Sequence, residues 1–186
     1  LFLKGHGMKL KYKMLIAVTP AVFLLDQLTK YFILKKFSIG FRLPVIPGFF
    51  DLVHVRNTGA AFGFLSNIDS KFRDPFFFVT AIVATIIFIF FYRSLKDQDK
   101  LMSFAVSLAF GGMAGNILDR VRLGSVVDFL SFHIGESSLD FSLWGKRYNV
   151  FLEWPSFNVA DSAITVAMCL LLFSVFFHKK EESTGA

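Results

Sequence analysis

The chain has a single cysteine, Cys169, so neither an internal disulfide framework nor a cysteine-based metal site can be built within it. Inside "ITVAMCLLLF" that residue reads as a small apolar filler. Charge is scarce as well. Only 18% of the 186 residues are charged, while 54% are hydrophobic and 26 are Phe, a balance too apolar for a soluble domain of this length. The formal charge of +6 does not imply a nucleic-acid partner, because no basic stripe with interleaved aromatics occurs and many cations flank apolar runs. His54, His133 and His178 are scattered and form no H-E-x-x-H, so a zinc protease of that kind is excluded. No G-x-S-x-G, no glycine-rich phosphate loop and no internal repeat is present.

What the chain does have is apolar length. A bilayer-crossing helix needs roughly 17 to 25 residues, and four stretches qualify, at about 14–34, 75–92, 101–118 and 159–177. The seven residues "LFLKGHG" before Met8 read as an expression-tag remnant, leaving 8–186 as one integral membrane domain. The first span holds Asp26 and Lys30 and offers no small-residue cleavage site, so it is an uncleaved anchor. The second, "PFFFVTAIVATIIFIFFY", is nearly pure hydrocarbon and should face lipid, with Pro75 in its first turn. The third carries Gly111, Gly112, Ala114 and Gly115, which admit another backbone at close range and mark an interior helix.

Four spans put both termini on one side. Nine cations lie in the N-terminal segment, the 93–100 loop and the C-terminal tail, against ten in the longer connections 35–74 and 119–158. The short segments are much denser in charge, so both termini are expected in the cytoplasm. The unusual polar residues then gather at the outer ends of the spans.

Asp26 and Lys30 are spaced i, i+4, as in an intrahelical ion pair whose lysine snorkels to the interface. Gly112, Asn116 and Asp119 share a helical face, and Arg120 follows Asn116 by one turn; a polar helix terminus at the headgroups has the same pattern. In "FDLVHVRNTGAAFGF", 50–64, Val53 and Val55 alternate against Leu52, His54 and Arg56, predicting a short strand closed by a turn at Asn57, Thr58 and Gly59. Pro44, Pro47 and Gly48 break the chain ahead of it, and Phe49, Phe50, Phe62 and Phe64 suit the lipid boundary.

Gly124 should end the third helix, after which Asp128 sits among Val126, Val127, Phe129 and Leu130. Asp161 opens the fourth span three residues after Asn158. Singly, Asp161 reads as a helix N-cap and Asp128 as a loop acid. Brought together, two partly dehydrated carboxylates cannot both ionise easily; they share a proton, one acting as base and the other as acid, and activate water without a metal.

The blocks "DQLTKYF" (26–32), "RNTGAAFGF" (56–64), "GGMAGNILDRVRLGSVVDF" (111–129) and "FNVADSAI" (157–164) together resemble lipoprotein signal peptidase, the signal peptidase II family, over essentially all of 14–178. The resemblance implies an all-α membrane protein with four transmembrane helices, a small extracytoplasmic β-cradle and a periplasmic loop or helix. It further implies a bacterial inner-membrane aspartyl peptidase, needing no cofactor or metal, that cuts prolipoproteins before a diacylglyceryl-modified cysteine. By motif, Asp128 and Asp161 are then catalytic. Asn57, Gly59, Asn116, Arg120 and Asn158 line the site, with Asp26, Lys30 and Asp119 binding substrate or supporting it. Membrane lipid would be a partner, and globomycin-type peptide antibiotics inhibitors. The chain departs from the family in its long connection between Asp128 and Asp161, which holds Trp144, Tyr148, Phe151 and Trp154. That insert would cover the site, contact the lipidated substrate or be a lineage-specific decoration. The rival reading is a small proton- or ion-coupled transporter, although such proteins place their acids near the midplane and often show repeats; a non-catalytic scaffold would leave the two aspartates without a purpose.

Overall fold

The computed structural model describes residues 8–59, 69–135, 139–150 and 152–184. Its elements are α1 (Leu10–Lys36), β1 (Arg42–Ile46), β2 (Phe50–Asn57), α2 (Ser70–Ser94), α3 (Lys100–Leu123), β3 (Val126–Phe132), β4 (Leu139–Leu143), β5 (Lys146–Val150) and α4 (Val159–Thr184). All four helices contain stretches long and apolar enough to cross a membrane. The chain divides into two compact units, Leu1–Gln27 with Phe78–Leu118 and Val159–Ala186, and Leu28–Phe77 with Asp119–Asn158. The tag-like residues 1–7, and Phe62 and Phe64 of the second motif, lie outside the described residues.

In the helical unit α3 is the interior element: half of its apolar stretch is buried, against 6% of that of α2. Small residues set its packing. Ala105, Ala109 and Ala167 are almost fully buried together, and Tyr92, Leu95 and Val106 form a second cluster with Leu15 and Phe110 against it. The glycines of α3 sit where no side chain fits. A Cβ on Gly111 would lie 2.6 Å from Val22, one on Gly112 would lie 2.5 Å from the Ala160 carbonyl oxygen, and one on Gly115 would lie 2.3 Å from Asp26 Oδ2. Because Gly112 meets backbone rather than a flexible side chain, Gly112→Ala should destabilise the fold by about 1–3 kcal/mol, the usual cost of overpacking. Thermal unfolding in detergent measures this, and an unchanged melting temperature would show that α3 and α4 have room to spare.

Pro75 is not in the first turn of α2. The helix begins five residues earlier, at Ser70, because Asp69 caps it: its Oδ1 accepts the Lys71 N–H at 3.0 Å and its carbonyl accepts those of Phe72 and Arg73.

In the second unit β1, β2 and β3 form an antiparallel sheet in that order. Pro44 does not break the chain; it pairs with Asp51 inside β1, an edge strand where a missing N–H is tolerated. The turn falls instead at Pro47–Gly48, with Gly48 at φ +75°. The alternation expected in β2 also fails at one point. Leu52 pairs with Leu130 and Val55 with Asp128, three residues advancing against two, so a bulge at Val53–His54 shifts the phase. Val53 is consequently 3% exposed while Val55 is 40% exposed. Gly124, at φ +68°, ends α3 with its N–H on the Arg120 carbonyl and starts the chain into β3. The far side of β3 is bonded by the segment 152–157, through Phe157 to Leu130, Trp154 to Phe132 and Ile134 to Leu152. Among the described residues β4 and β5 pair with each other alone.

Candidate active site

In the helical unit the polar site residues converge on the first turn of α4. Asp161 is its third residue, and its Oδ1 accepts a hydrogen bond from Asn116 Nδ2 of α3 at 2.8 Å. The expectation that Asp161 is the N-cap is corrected by this geometry. The Ala160 N–H, one of the donors left over at a helix start, is taken by Asp26 Oδ1 of α1 at 2.9 Å, so a carboxylate from another helix does the capping. Asp26 is fully buried, and Gln27 Nε2 donates both to its Oδ2 and to the Gly115 carbonyl, each at 3.2 Å. The Gly115 position thus serves Asp26, whose carboxylate occupies the space a side chain would take.

In the sheet unit Asp128 is 1% exposed and held at both oxygens. Asn57 Nδ2 donates to its Oδ2 at 2.9 Å and Asn158 Nδ2 to its Oδ1 at 2.8 Å; Asn158 also reaches the Val127 carbonyl at 3.3 Å. Asn57 closes β2 with an Asx turn in which its Oδ1 accepts the Gly59 N–H at 3.0 Å. Asp119 Oδ2 accepts the Val127 N–H at 3.1 Å and pairs with Lys30 Nζ at 2.9 Å. Lys30 is 1% exposed, so it does not snorkel to an interface; its ammonium is spent inside the protein, one residue of backbone away from Asp128. Arg120 lies in the last turn of α3, half-buried.

A third cluster was not evident from the sequence. Arg42 of β1 donates to Asp51 Oδ2 of β2 at 2.5 Å and to Glu153 Oε1, which also accepts the Ser131 hydroxyl of β3 at 2.7 Å. His133 Nε2 lies 3.2 Å from Asp51, and its Nδ1 donates to the Gly135 carbonyl at 2.9 Å. Its one sequence signal is Arg42 and Asp51 flanking the Pro47–Gly48 turn; Glu153, 111 residues from Arg42, gives none. The cluster clamps the segment that leads directly to Asn158.

These groups make the clamp sensitive to pH. Burial pushes the Asp51 carboxyl up, but the hydrogen bond from Arg42 and the His133 imidazole beside it outweigh that and hold it below its ordinary 3.8. Glu153 behaves alike, burial being outweighed by Ser131 and Arg42, and lies below 4.5. His133 is raised above 6.5, first by the Gly135 carbonyl and then by Asp51. The depressed carboxylates stabilise the fold at higher pH, and that contribution disappears as pH falls through their folded values. The raised imidazole stabilises it at low pH and loses its contribution as pH rises past its folded value. Melting temperature should therefore drop below about pH 4 and ease off above neutrality. Arg42→Gln should flatten the acid limb, and an acid limb identical to that of the unmodified chain would remove Arg42 from the account.

Among the described residues no three His, Cys, Asp or Glu side chains are grouped as metal ligands would be. Carboxylates oriented by carboxamide donors are suited to moving protons.

Known proteins resemble the chain over most of its length. A family model described as signal peptidase (SPase) II matches residues 18–177. The lipoprotein signal peptidase of Syntrophotalea carbinolica is 44% identical over 164 residues, covering 88% of this chain and 91% of that protein. That of Geobacter metallireducens is 38% identical over 176 residues, covering 95% and 98%. A solved bacterial membrane enzyme superposes with a TM-score of 0.72 at 31% identity, over 91% of each chain.

Proposed function

The chain belongs to the signal peptidase II family, and on that premise we propose that Asp128 and Asp161 are its catalytic pair. It is an aspartic endopeptidase of the membrane that removes signal peptides from prolipoproteins. The observation that carries the assignment is that each aspartate is oriented by carboxamides from the family's own motifs, Asp128 by Asn57 and Asn158, and Asp161 by Asn116. One carboxylate takes a proton from water as its oxygen attacks the scissile carbonyl; the other, protonated, gives its proton to the carbonyl oxygen. Collapse of the tetrahedral adduct returns a proton to the departing amine. No metal or cofactor enters these steps.

The finer assignments belong to the same proposal. The substrate carries a diacylglyceryl group on the cysteine after the cut, which keeps it in the bilayer while its backbone reaches the site. Gly59 and Arg120 line the substrate path, and Asp26, Lys30 and Asp119 support the site. Globomycin-type peptides compete for it. A transporter has no support among the relatives. The decisive experiment is turnover: purified protein should cut a diacylglyceryl-modified precursor and leave the unmodified precursor intact, and failure on the lipidated form would end the reading.

Both termini are cytoplasmic in this proposal, with 35–74 and 119–158, including the small sheet, on the outer face of the inner membrane. An impermeant thiol reagent applied to intact cells should modify a cysteine engineered at Ser142 and spare one at Lys96, in a Cys169→Ser background. The reverse pattern would invert the topology.

A further inference from the structure

The insert between β3 and α4 contains a sheet of two strands. β4 and β5 place Leu139 opposite Val150, Phe141 opposite Tyr148 and Leu143 opposite Lys146, with Asp140 opposite Asn149 and Ser142 opposite Arg147 between them. Along both strands mainly apolar pairs alternate in register with polar ones, a period-two sequence pattern. Among the described residues no third strand joins it. A lone two-stranded hairpin is marginal in water, so a hairpin of this kind gains from a cover.

The turn says what kind of cover. Trp144 at φ +48° and Gly145 at φ +76° are both left-handed, as in the tight turns usually built from Asn-Gly or Asp-Gly. A bulky aromatic there costs conformational energy. Trp144 is 93% exposed, so packing within the chain returns nothing for that cost. Lys146 and Arg147 follow it, both exposed. An indole beside two cations matches the headgroup layer of a bilayer, where Trp sits at the apolar–polar boundary and Lys and Arg meet lipid phosphates. Four helices of the chain are long and apolar enough to cross a membrane, so the chain as a whole is membrane-bound. We propose that the β4–β5 hairpin is an interfacial anchor whose Trp144 tip and Lys146–Arg147 pair bind an anionic phospholipid surface.

The chain has two tryptophans, so Trp154→Phe leaves Trp144 as the single reporter. The full chain carrying that change is reconstituted into phosphatidylglycerol vesicles, with or without bromine on the upper acyl chain. Trp144 emission should be quenched by the brominated lipid and shielded from acrylamide. Phosphatidylcholine vesicles, and the Lys146→Glu/Arg147→Glu variant in phosphatidylglycerol, should lose much of that shielding. Precursor cleavage by each variant verifies that it is folded. Emission open to acrylamide and indifferent to bromine would overturn the proposal. So would shielding without bromine quenching, or shielding that appears only when a prolipoprotein is added, since either means that polypeptide is the cover. The readout is optical and does not depend on which carboxylates are catalytic, so its failure and a failure of the catalytic assignment are distinguishable.

Discussion

Asp128→Asn and Asp161→Asn should each lose nearly all cleavage of a lipidated precursor, by at least the 10²–10⁴-fold, roughly, that general acid–base assistance supplies. The double variant should be little worse than either, because the members of one catalytic unit do not add. The two single variants should nevertheless differ in stability. Asp128 accepts two carboxamide donors, at 2.9 and 2.8 Å, and an asparagine there offers one carbonyl oxygen and one N–H₂ in place of two acceptors. Either Asn57 or Asn158 then faces a donor, at a cost of about 1–3 kcal/mol for an unmatched buried group. At Asp161 an asparagine oxygen can still accept from Asn116, so that variant should keep more of its stability. Asp26→Asn can keep an acceptor on the Ala160 N–H but turns a donor toward Gln27 Nε2, so it should lose stability while retaining measurable activity. Gel-shift cleavage and thermal unfolding of the purified variants test both halves. Robust turnover by either single variant, or inhibition by a chelator that added zinc reverses, would sink the dyad.

The spans were legible in the sequence because a membrane helix announces itself locally, through an uninterrupted apolar run. The ends of α2 were less so, since the cap at Asp69 lies outside the hydrocarbon stretch and only its side-chain bond to Lys71 shows where the helix starts. In β2 period-two alternation correctly marked a strand, but a single extra residue at the bulge reverses every later position, and no residue type there advertises it. The motif residues were legible as a set and not as contacts. Asp26 and Lys30, four apart in α1, read as partners of each other, yet Asp26 serves the start of α4 and Lys30 serves Asp119. Those pairings span 134 and 89 residues; composition and periodicity, which are local signals, do not reach that far. The same holds for Glu153, whose role depends on an arginine at the other end of the sheet unit.

The Lys30–Asp119 pair leads to the second large effect. Lys30→Met removes the ammonium 2.9 Å from a carboxylate that is only 2% exposed, and breaking such a buried pair from one side costs about 3–5 kcal/mol. Asp119→Leu should cost as much, because it leaves the lysine buried and also takes the acceptor from the Val127 N–H. With both changes made together no uncompensated charge remains, so the double variant should be more stable than the sum of the singles requires, a coupling of roughly 1–3 kcal/mol in a double-mutant cycle. Activity should not return with stability. Val127 is bonded to Asp119 on its nitrogen and to Asn158 on its oxygen, and the backbone so fixed carries Asp128. Restoring apolar packing at positions 30 and 119 leaves that nitrogen without the Asp119 oxygen, so the double variant should melt above the point the two single losses add up to, still below the unmodified protein, and still show a lowered kcat. Additive losses in melting temperature, or full recovery of kcat in the double variant, would mean that the ion pair neither stabilises the sheet unit cooperatively nor positions Asp128.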